Sequence, residues 1–171
     1  MKRLAATLAV LAACQAHAQQ LEFKGVPFGA TMKEFKEAQP DFQCLSTDCF
    51  ARGNAMQYAG VPAKITAEFA DGKLAVLTVY FNPSYSGIIS EALASKYGDP
   101  TTVKASEFKT RGGATATNDE REWQRPDGSF ISVARYGSAI NEGRAQMLSA
   151  DGVRAKAAQL EKLKQQSKKD I

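Results

Sequence analysis

The chain has 171 residues, 44% hydrophobic and 23% charged, with 22 basic side chains against 18 acidic ones and a formal charge of +4. This length suits one domain with a real core. The excess charge is too small for a nucleic-acid-binding protein, which concentrates basic residues on a folded face.

The first 18 residues carry the anatomy of a cleavable export signal. A positive start, Met1-Lys2-Arg3, precedes an apolar stretch from Leu4 to Ala13, and Ala16-His17-Ala18 supplies the small-residue cleavage site before Gln19. The stretch is about half the roughly 20 apolar residues of a membrane-spanning helix, and no later segment approaches that length. The processed chain is therefore expected to be a soluble periplasmic or secreted protein. Leu11-Ala12-Ala13-Cys14 also fits the lipobox at which bacterial lipoproteins are cleaved and acylated on cysteine. The two processing routes exclude each other, and the ordinary signal length left by cleavage after Ala18 favours that site. Membrane attachment is expected only if Cys14 is acylated.

Processing after Ala18 removes Lys2, Arg3 and the single histidine, His17, leaving a net charge of +2. Residues 152–171 hold six basic side chains against two acidic ones, so residues 19–151 are close to −2. The chain thus divides into a signal peptide (1–18), an α+β domain (19–151) and a basic amphipathic C-terminal helix or tail (152–171).

Gly25-Val26-Pro27-Phe28-Gly29 forms an opening turn. Thr31-Met32-Lys33-Glu34 is a capping box, in which hydroxyl and carboxylate each satisfy a free amide at a helix start. Met32, Phe35 and Ala38 share one helix face, and Pro40 stops the helix near Gln39. Cys44 and Cys49 remain after export. An even cysteine pair in an oxidising compartment predicts a disulfide that pins a short loop and contributes on the order of 2 kcal/mol.

Asp71-Gly72 separates Ile65–Phe69 from Leu74–Phe81 and suits a tight hairpin turn. A two-residue turn places Phe69 opposite Leu74, Ala67 opposite Val76 and Ile65 opposite Thr78. The second strand is apolar on both sides, as in a covered central strand. Asn82-Pro83-Ser84 opens a helix with apolar positions Tyr85, Ile88, Ile89, Ala92, Leu93 and Tyr97, which Gly98 and Pro100 terminate. Thr101–Lys109, Glu120–Arg125 and Phe130–Tyr136 read as an antiparallel meander, with residues 110–118 a mobile linker. A last strand covers Ala145–Leu148. From Asp151 the spacing of Val153, Ala157, Leu160 and Leu163 predicts a final helix, frayed from Gln165 onward. The expected fold class is α+β: a single antiparallel sheet of five to six strands against two to three helices, with one disulfide.

Without a histidine in the processed chain, neither a Ser-His-Asp nor a Cys-His nucleophile system can be assembled. Gly-x-Ser-x-Gly, phosphate-loop and Gly-x-Gly-x-x-Gly motifs are missing from the sequence. Ser106-Glu107-Phe108-Lys109 matches Ser-x-x-Lys, but that motif needs a helix start, and this stretch reads as a strand edge. Glu107, Asp119, Glu120 and Glu122 could supply paired acids, but on alternating strands they are expected to face Lys104, Lys109, Arg121 and Arg125. Phe108, Trp123 and Tyr136 form a candidate binding surface, against the commoner role of a lone tryptophan in the core. No cofactor, metal or catalytic residue is expected.

Three segments, Gly25-Val26-Pro27-Phe28-Gly29-Ala30-Thr31, Asp71-Gly72-Lys73-Leu74 and Lys96-Tyr97-Gly98-Asp99-Pro100, together resemble small exported proteobacterial domains of unknown function. They are also loosely similar to the small lipoprotein of the outer-membrane barrel-assembly machinery, the SmpA/OmlA type. In that family a glycine-led helix start, a helix ending in Gly-x-Pro and a short antiparallel sheet recur. The Cys44–Cys49 loop and the basic C-terminal helix lie outside its pattern. The leading expectation is a non-enzymatic interaction protein of the periplasm or medium whose partner is an envelope protein, with inhibition of an envelope enzyme as one version. The resemblance implies the alternative, an outer-membrane lipoprotein tethered through Cys14 that assists envelope assembly. A carboxylate-based cell-wall hydrolase is a remote third.

Overall fold

The computed structural model describes residues 19–53, 56–109 and 113–168. Residues 1–18, the expected signal segment with Cys14, lie outside them. Strands β1 (Glu22–Phe23) and β2 (Val26–Pro27) fold back across Lys24-Gly25, both at positive φ as a tight hairpin turn requires. Helix α1 (Met32–Ala38) follows, with its capping box formed: the Glu34 amide donates to Thr31 Oγ1 at 3.3 Å, and the Thr31 amide donates to the Glu34 carboxylate at 2.7 Å. These hydrogen bonds hold the Glu34 carboxyl below its ordinary pKa.

Strands β3 (Phe42–Leu45) and β4 (Asp48–Ala51) form a hairpin in which Cys44 sits directly opposite Cys49 and is disulfide-bonded to it. Strand β5 (Gln57–Tyr58) leads into β6 (Val61–Ala70) and β7 (Lys73–Phe81), joined at Asp71-Gly72 with φ 51° and 74°. Asn82 caps a single 3-10 turn (Pro83–Tyr85), accepting from the Ser84 amide at 3.0 Å. Helix α2 (Ser86–Tyr97) continues to Gly98, whose φ of 85° ends it. Strands β8 (Thr102–Lys109), β9 (Thr115–Gln124), β10 (Phe130–Ala134) and β11 (Gly143–Leu148) precede helix α3 (Ala150–Ser167).

The main sheet has nine strands, ordered β3-β4-β6-β7-β11-β10-β9-β8 with β5 pairing β6, and β1-β2 forms a second, two-stranded sheet. The pairings are antiparallel throughout, and β8-β9-β10 is the expected meander. The fold class holds, but the expected five to six strands in one sheet were too few. The opening turn and the cysteine loop are hairpins, and Thr115–Asn118, expected to be mobile, is strand paired to β8. Helix α3 begins at Ala150 and stays helical through Ser167, past the point where fraying was expected.

The β6-β7 register also differs from expectation. Phe69 does face Leu74, but Ala67 faces Leu77 and Ile65 faces Val79, because the register shifts between Glu68 and Phe69 and leaves Ala75 as an extra residue on β7. The Ala75 carbonyl accepts from the Ser149 amide at 2.9 Å, which docks the start of α3 on this bulge.

Side chains alternate across a sheet, so the register assigns each residue to a face. One face carries Ile65, Ala67, Leu77, Val79, Ala145, Met147, Ile131, Val133 and Trp123, all buried in the main core with Phe35 of α1 and Ile89 and Leu93 of α2. Toward the opposite face Ala75, Val76 and Leu148 form a small buried cluster, with Ala70, Phe130 and Val153 at the start of α3 packed against it. Beyond Lys156, which pairs with Glu68 at 2.6 Å, α3 is exposed, including Leu160 and Leu163.

Gly152 is where α3 approaches the bulge most closely. A Cβ there would lie 2.3 Å from the Ala75 carbonyl oxygen, a backbone atom that side-chain rotation cannot clear. Gly152→Ala is expected to destabilise the fold by about 1–3 kcal/mol, the usual cost of overpacking. Urea unfolding of variant and wild type measures this, and an unchanged midpoint would contradict the packing described.

Candidate functional site

The aromatic residues singled out in the sequence do not form one surface. Phe108 and Tyr136 meet edge-to-face with ring centroids 5.5 Å apart, and the Arg135 guanidinium lies 5.4 Å from the Tyr136 ring. Trp123 belongs to the core instead. It is 2% exposed, it projects from the sheet face opposite Phe108, and its indole Nε1 donates to the Gly98 carbonyl at 2.7 Å. That bond ties β9 to the end of α2.

Ser106 and Lys109 lie on the exposed edge strand β8 and, three apart on a strand, point to opposite faces. Glu120 and Glu122 share a face. Glu122 pairs with Lys104 at 3.0 Å, and Glu120 accepts from Asn118 Nδ2 at 3.0 Å. Asp119 and Glu107 belong to the other face. Of these carboxylates only Glu122 has an ion-pair partner among the described residues, and the four divide between the two faces of the sheet. Among the described residues no group of three or more Cys, His, Asp or Glu side chains converges to hold a metal ion.

The surface that the sequence reading missed is the open face of the central strands. Thr66, Thr78, Gln146, Ser132 and Glu122 form one row across β6, β7, β11, β10 and β9. Lys64, Tyr80 and Arg144 form the neighbouring row across β6, β7 and β11. Gln146 Nε2 donates to Thr78 Oγ1 at 3.2 Å, which fixes the amide in the middle of the row. Lys64 and Arg144 form no ion pair among the described residues. Cavities of about 530 and 550 Å³ open here, and Lys64, Tyr80 and Glu142 line both. The first adds Asn82, Tyr85 and Asn141, and the second adds Phe50, Thr66 and Ser138. Hydroxyls, amides and aromatic rings with both signs of charge suit a polar ligand surface or a protein contact.

A second polar corner lies where α2 ends. Lys96 Nζ is 2.8 Å from Glu22 Oε1 and 5.3 Å from the Tyr97 ring, while the Arg125 guanidinium is 5.2 Å from the same ring. Burial works against the charged form of Lys96, but the hydrogen bond to Glu22 and the Tyr97 contacts outweigh it, and its pKa is raised. The Arg125 side chain is 8% exposed, donates through Nη2 to the Gln19 carbonyl, and approaches Asp127 at 3.8 Å. Lys96, Tyr97 and Arg125, with Gln19, Asp99, Thr101 and Trp123, line a cavity of about 350 Å³.

Partial burial raises the Asp127 pKa, but hydrogen bonds from the Ser129 hydroxyl (2.6 Å) and amide (2.9 Å), with the Arg125 charge, reverse the sign and hold it below its ordinary value. A carboxyl with a depressed folded pKa stabilises fully above its unfolded pKa of about 3.9 and loses that contribution as pH falls through the folded value. The stability gap between wild type and Asp127→Asn is therefore expected to be constant at neutral pH and to close below about pH 4. Thermal unfolding across that range tests it, and a gap that persists in acid would contradict it.

Comparisons of the chain with protein-family models, with curated proteins and with solved structures find no match.

Proposed function

We propose that this protein is exported, cleaved after Ala18, and works as a non-enzymatic interaction protein of the cell envelope, with the open polar face of its sheet as the contact surface. The observation that carries this reading is the double row across the central strands: Thr66, Thr78, Gln146 and Ser132 beside Lys64, Tyr80 and Arg144, with α3 covering only one end of that face. Such a surface on a rigid scaffold is where binding function concentrates. The lack of histidine after processing, and the pairing of Glu122 with Lys104, remove the commoner catalytic constellations. Inhibition of an envelope enzyme is one version of this role.

A tagged chain carrying its native leader, crosslinked in cells and purified from the envelope, is expected to bring one stoichiometric protein with it. The double variant Lys64→Glu with Tyr80→Ala is expected to lose that partner while keeping the wild-type unfolding midpoint to within about 0.5 kcal/mol, as surface changes usually do. Turnover of a cell-wall polymer by the purified domain, abolished by Glu120→Gln with Glu122→Gln, would contradict the reading.

The second reading, an outer-membrane lipoprotein assisting envelope assembly, rests on the Leu11–Cys14 lipobox and the turn-and-cap likeness to the barrel-assembly lipoprotein. Detergent phase partitioning separates the two: the soluble form stays in the aqueous phase, and an acylated Cys14 moves the protein into detergent.

A further inference from the structure

Four large apolar side chains at one end of the molecule, Leu45, Phe50, Leu160 and Leu163, are each 44–60% exposed. We propose that they line the two walls of a cleft between the projecting part of α3 and the β3-β4 hairpin, and that this cleft takes an acidic amphipathic segment of the partner protein. The proposal rests on the open face being the contact surface and names the chemistry of what it contacts.

The register puts the cleft together. Asp48 and Phe50 of β4 stand opposite Glu68 and Thr66 of β6, and Leu45 of β3 stands opposite Asp48, so Leu45 and Phe50 belong to the open face. Helix α3 crosses that same face. Val153 packs against the Val76 and Leu148 cluster, and Lys156 reaches Glu68 on β6. Leu160 and Leu163 follow Lys156 by four and seven residues, on the same side of the helix. At about 1.5 Å per residue they come roughly 6 and 10 Å further along its axis, and β4 and β3 come about 5 and 10 Å beyond β6. The leucines therefore overhang the hairpin. Both walls nevertheless stay open, and every residue from Ala157 to Lys168 is exposed.

The surroundings select the occupant. The projecting turns carry Lys162, Lys164 and Lys168 against Glu161, which engages Lys164 at 2.9 Å. On the sheet, Lys64 lines one cavity with Phe50, and Asp48 is the acid beside Leu45. Four bases against two acids complement an acidic segment. A second copy would set the same lysines against one another. A flat bilayer does not reach leucines whose side of the helix faces the protein's own sheet. A helix of a partner protein enters from the open end, with its apolar side chains between the leucines and Phe50 and its carboxylates on the lysines. Apolar anchors at the centre with charge at the rim are the usual anatomy of such a contact.

Fluorescence anisotropy with three labelled helical peptides tests this on the purified exported chain: leucines at helical spacing among glutamates, the same leucines among lysines, and alanines in place of the leucines among glutamates. The leucine-glutamate peptide is expected to bind, and the other two to bind at least about tenfold more weakly. Leu160→Gln with Leu163→Gln is expected to weaken the leucine-glutamate peptide by a similar factor, as loss of two apolar anchors should, and to keep the wild-type urea midpoint because both side chains are exposed. Equal binding of the lysine peptide, or undiminished binding by the double variant, would overturn the proposal. A dimer of the protein alone, or sedimentation with phosphatidylglycerol vesicles, that the double variant abolishes would also overturn it by giving the cleft another occupant. In cells the double variant is expected to lose the crosslinked partner. A partner kept by this variant but lost by Lys64→Glu with Tyr80→Ala would overturn the cleft and leave the open-face reading standing, and a partner kept by both would overturn that reading as well.

Discussion

Phe35 is fully buried against Phe23, Phe42 and Phe69, with ring centroids 6.3, 5.0 and 5.6 Å away, and this contact fastens two units that could not stand alone, helix α1 and the β1-β2 hairpin. Helix α1 has seven residues, well short of the roughly 12–15 an isolated helix needs. The β1-β2 hairpin has two residues per strand, and an isolated hairpin is marginal at best. Each is held because its aromatic side chain closes over the apolar face of the main sheet. Tyr58 joins the group, stacking 6.5 Å from Phe23 and donating to Met147 Sδ at 3.7 Å. Burial drives its phenol pKa well above the ordinary value, and the hydroxyl acts there as a donor.

Covering that face uses α1, α2 and the first hairpin, which leaves α3 for the other side. Helix α3 meets only the end where the β7 bulge turns the Ala75 carbonyl to Ser149 and Gly152 permits close approach. The rest of that face is polar and mostly half-buried, with Thr78 2% exposed: threonine, serine and glutamine occupy positions whose counterparts across the sheet are Ile, Leu, Val and Met. Its two edges differ as well. The β3 edge is four residues long and clipped by the Cys44–Cys49 bridge, while β8 runs eight residues with Val103 62% exposed. Lys104, Glu107 and Lys109 place charge along that longer edge, a common guard against unwanted strand pairing.

What was legible in the sequence was mostly local. The Thr31 box, the Asp71-Gly72 turn and the Gly98 stop depend on a few neighbouring residues and form as read, while Asn82-Pro83-Ser84, read as opening the helix, makes a 3-10 turn ahead of it. The bulge at Ala75 was not legible, because a two-residue turn fixes register only near itself and α3, far along the chain, selects the extra residue. Thr115–Asn118 looked like linker since small polar residues carry little apolar pattern, yet pairing with β8 satisfies their backbone. The polar alternation Lys64-Thr66-Glu68 was visible, but only the sheet order joins it to Ser132, Arg144 and Gln146 as one surface. Tyr97 and Arg125 likewise meet only through the packing of α2 against the meander.

Whether the polar face of the sheet is the working surface is tested most directly by a photo-crosslinker scan in living cells. Crosslinkers placed singly at Thr66, Ser132 and Gln146 on the open face, and at Ile88 and Glu91 on the outer side of α2, sample the two sides of the molecule. A working polar face gives one discrete adduct from the open-face positions and none from α2. An adduct from the α2 positions alone would contradict it.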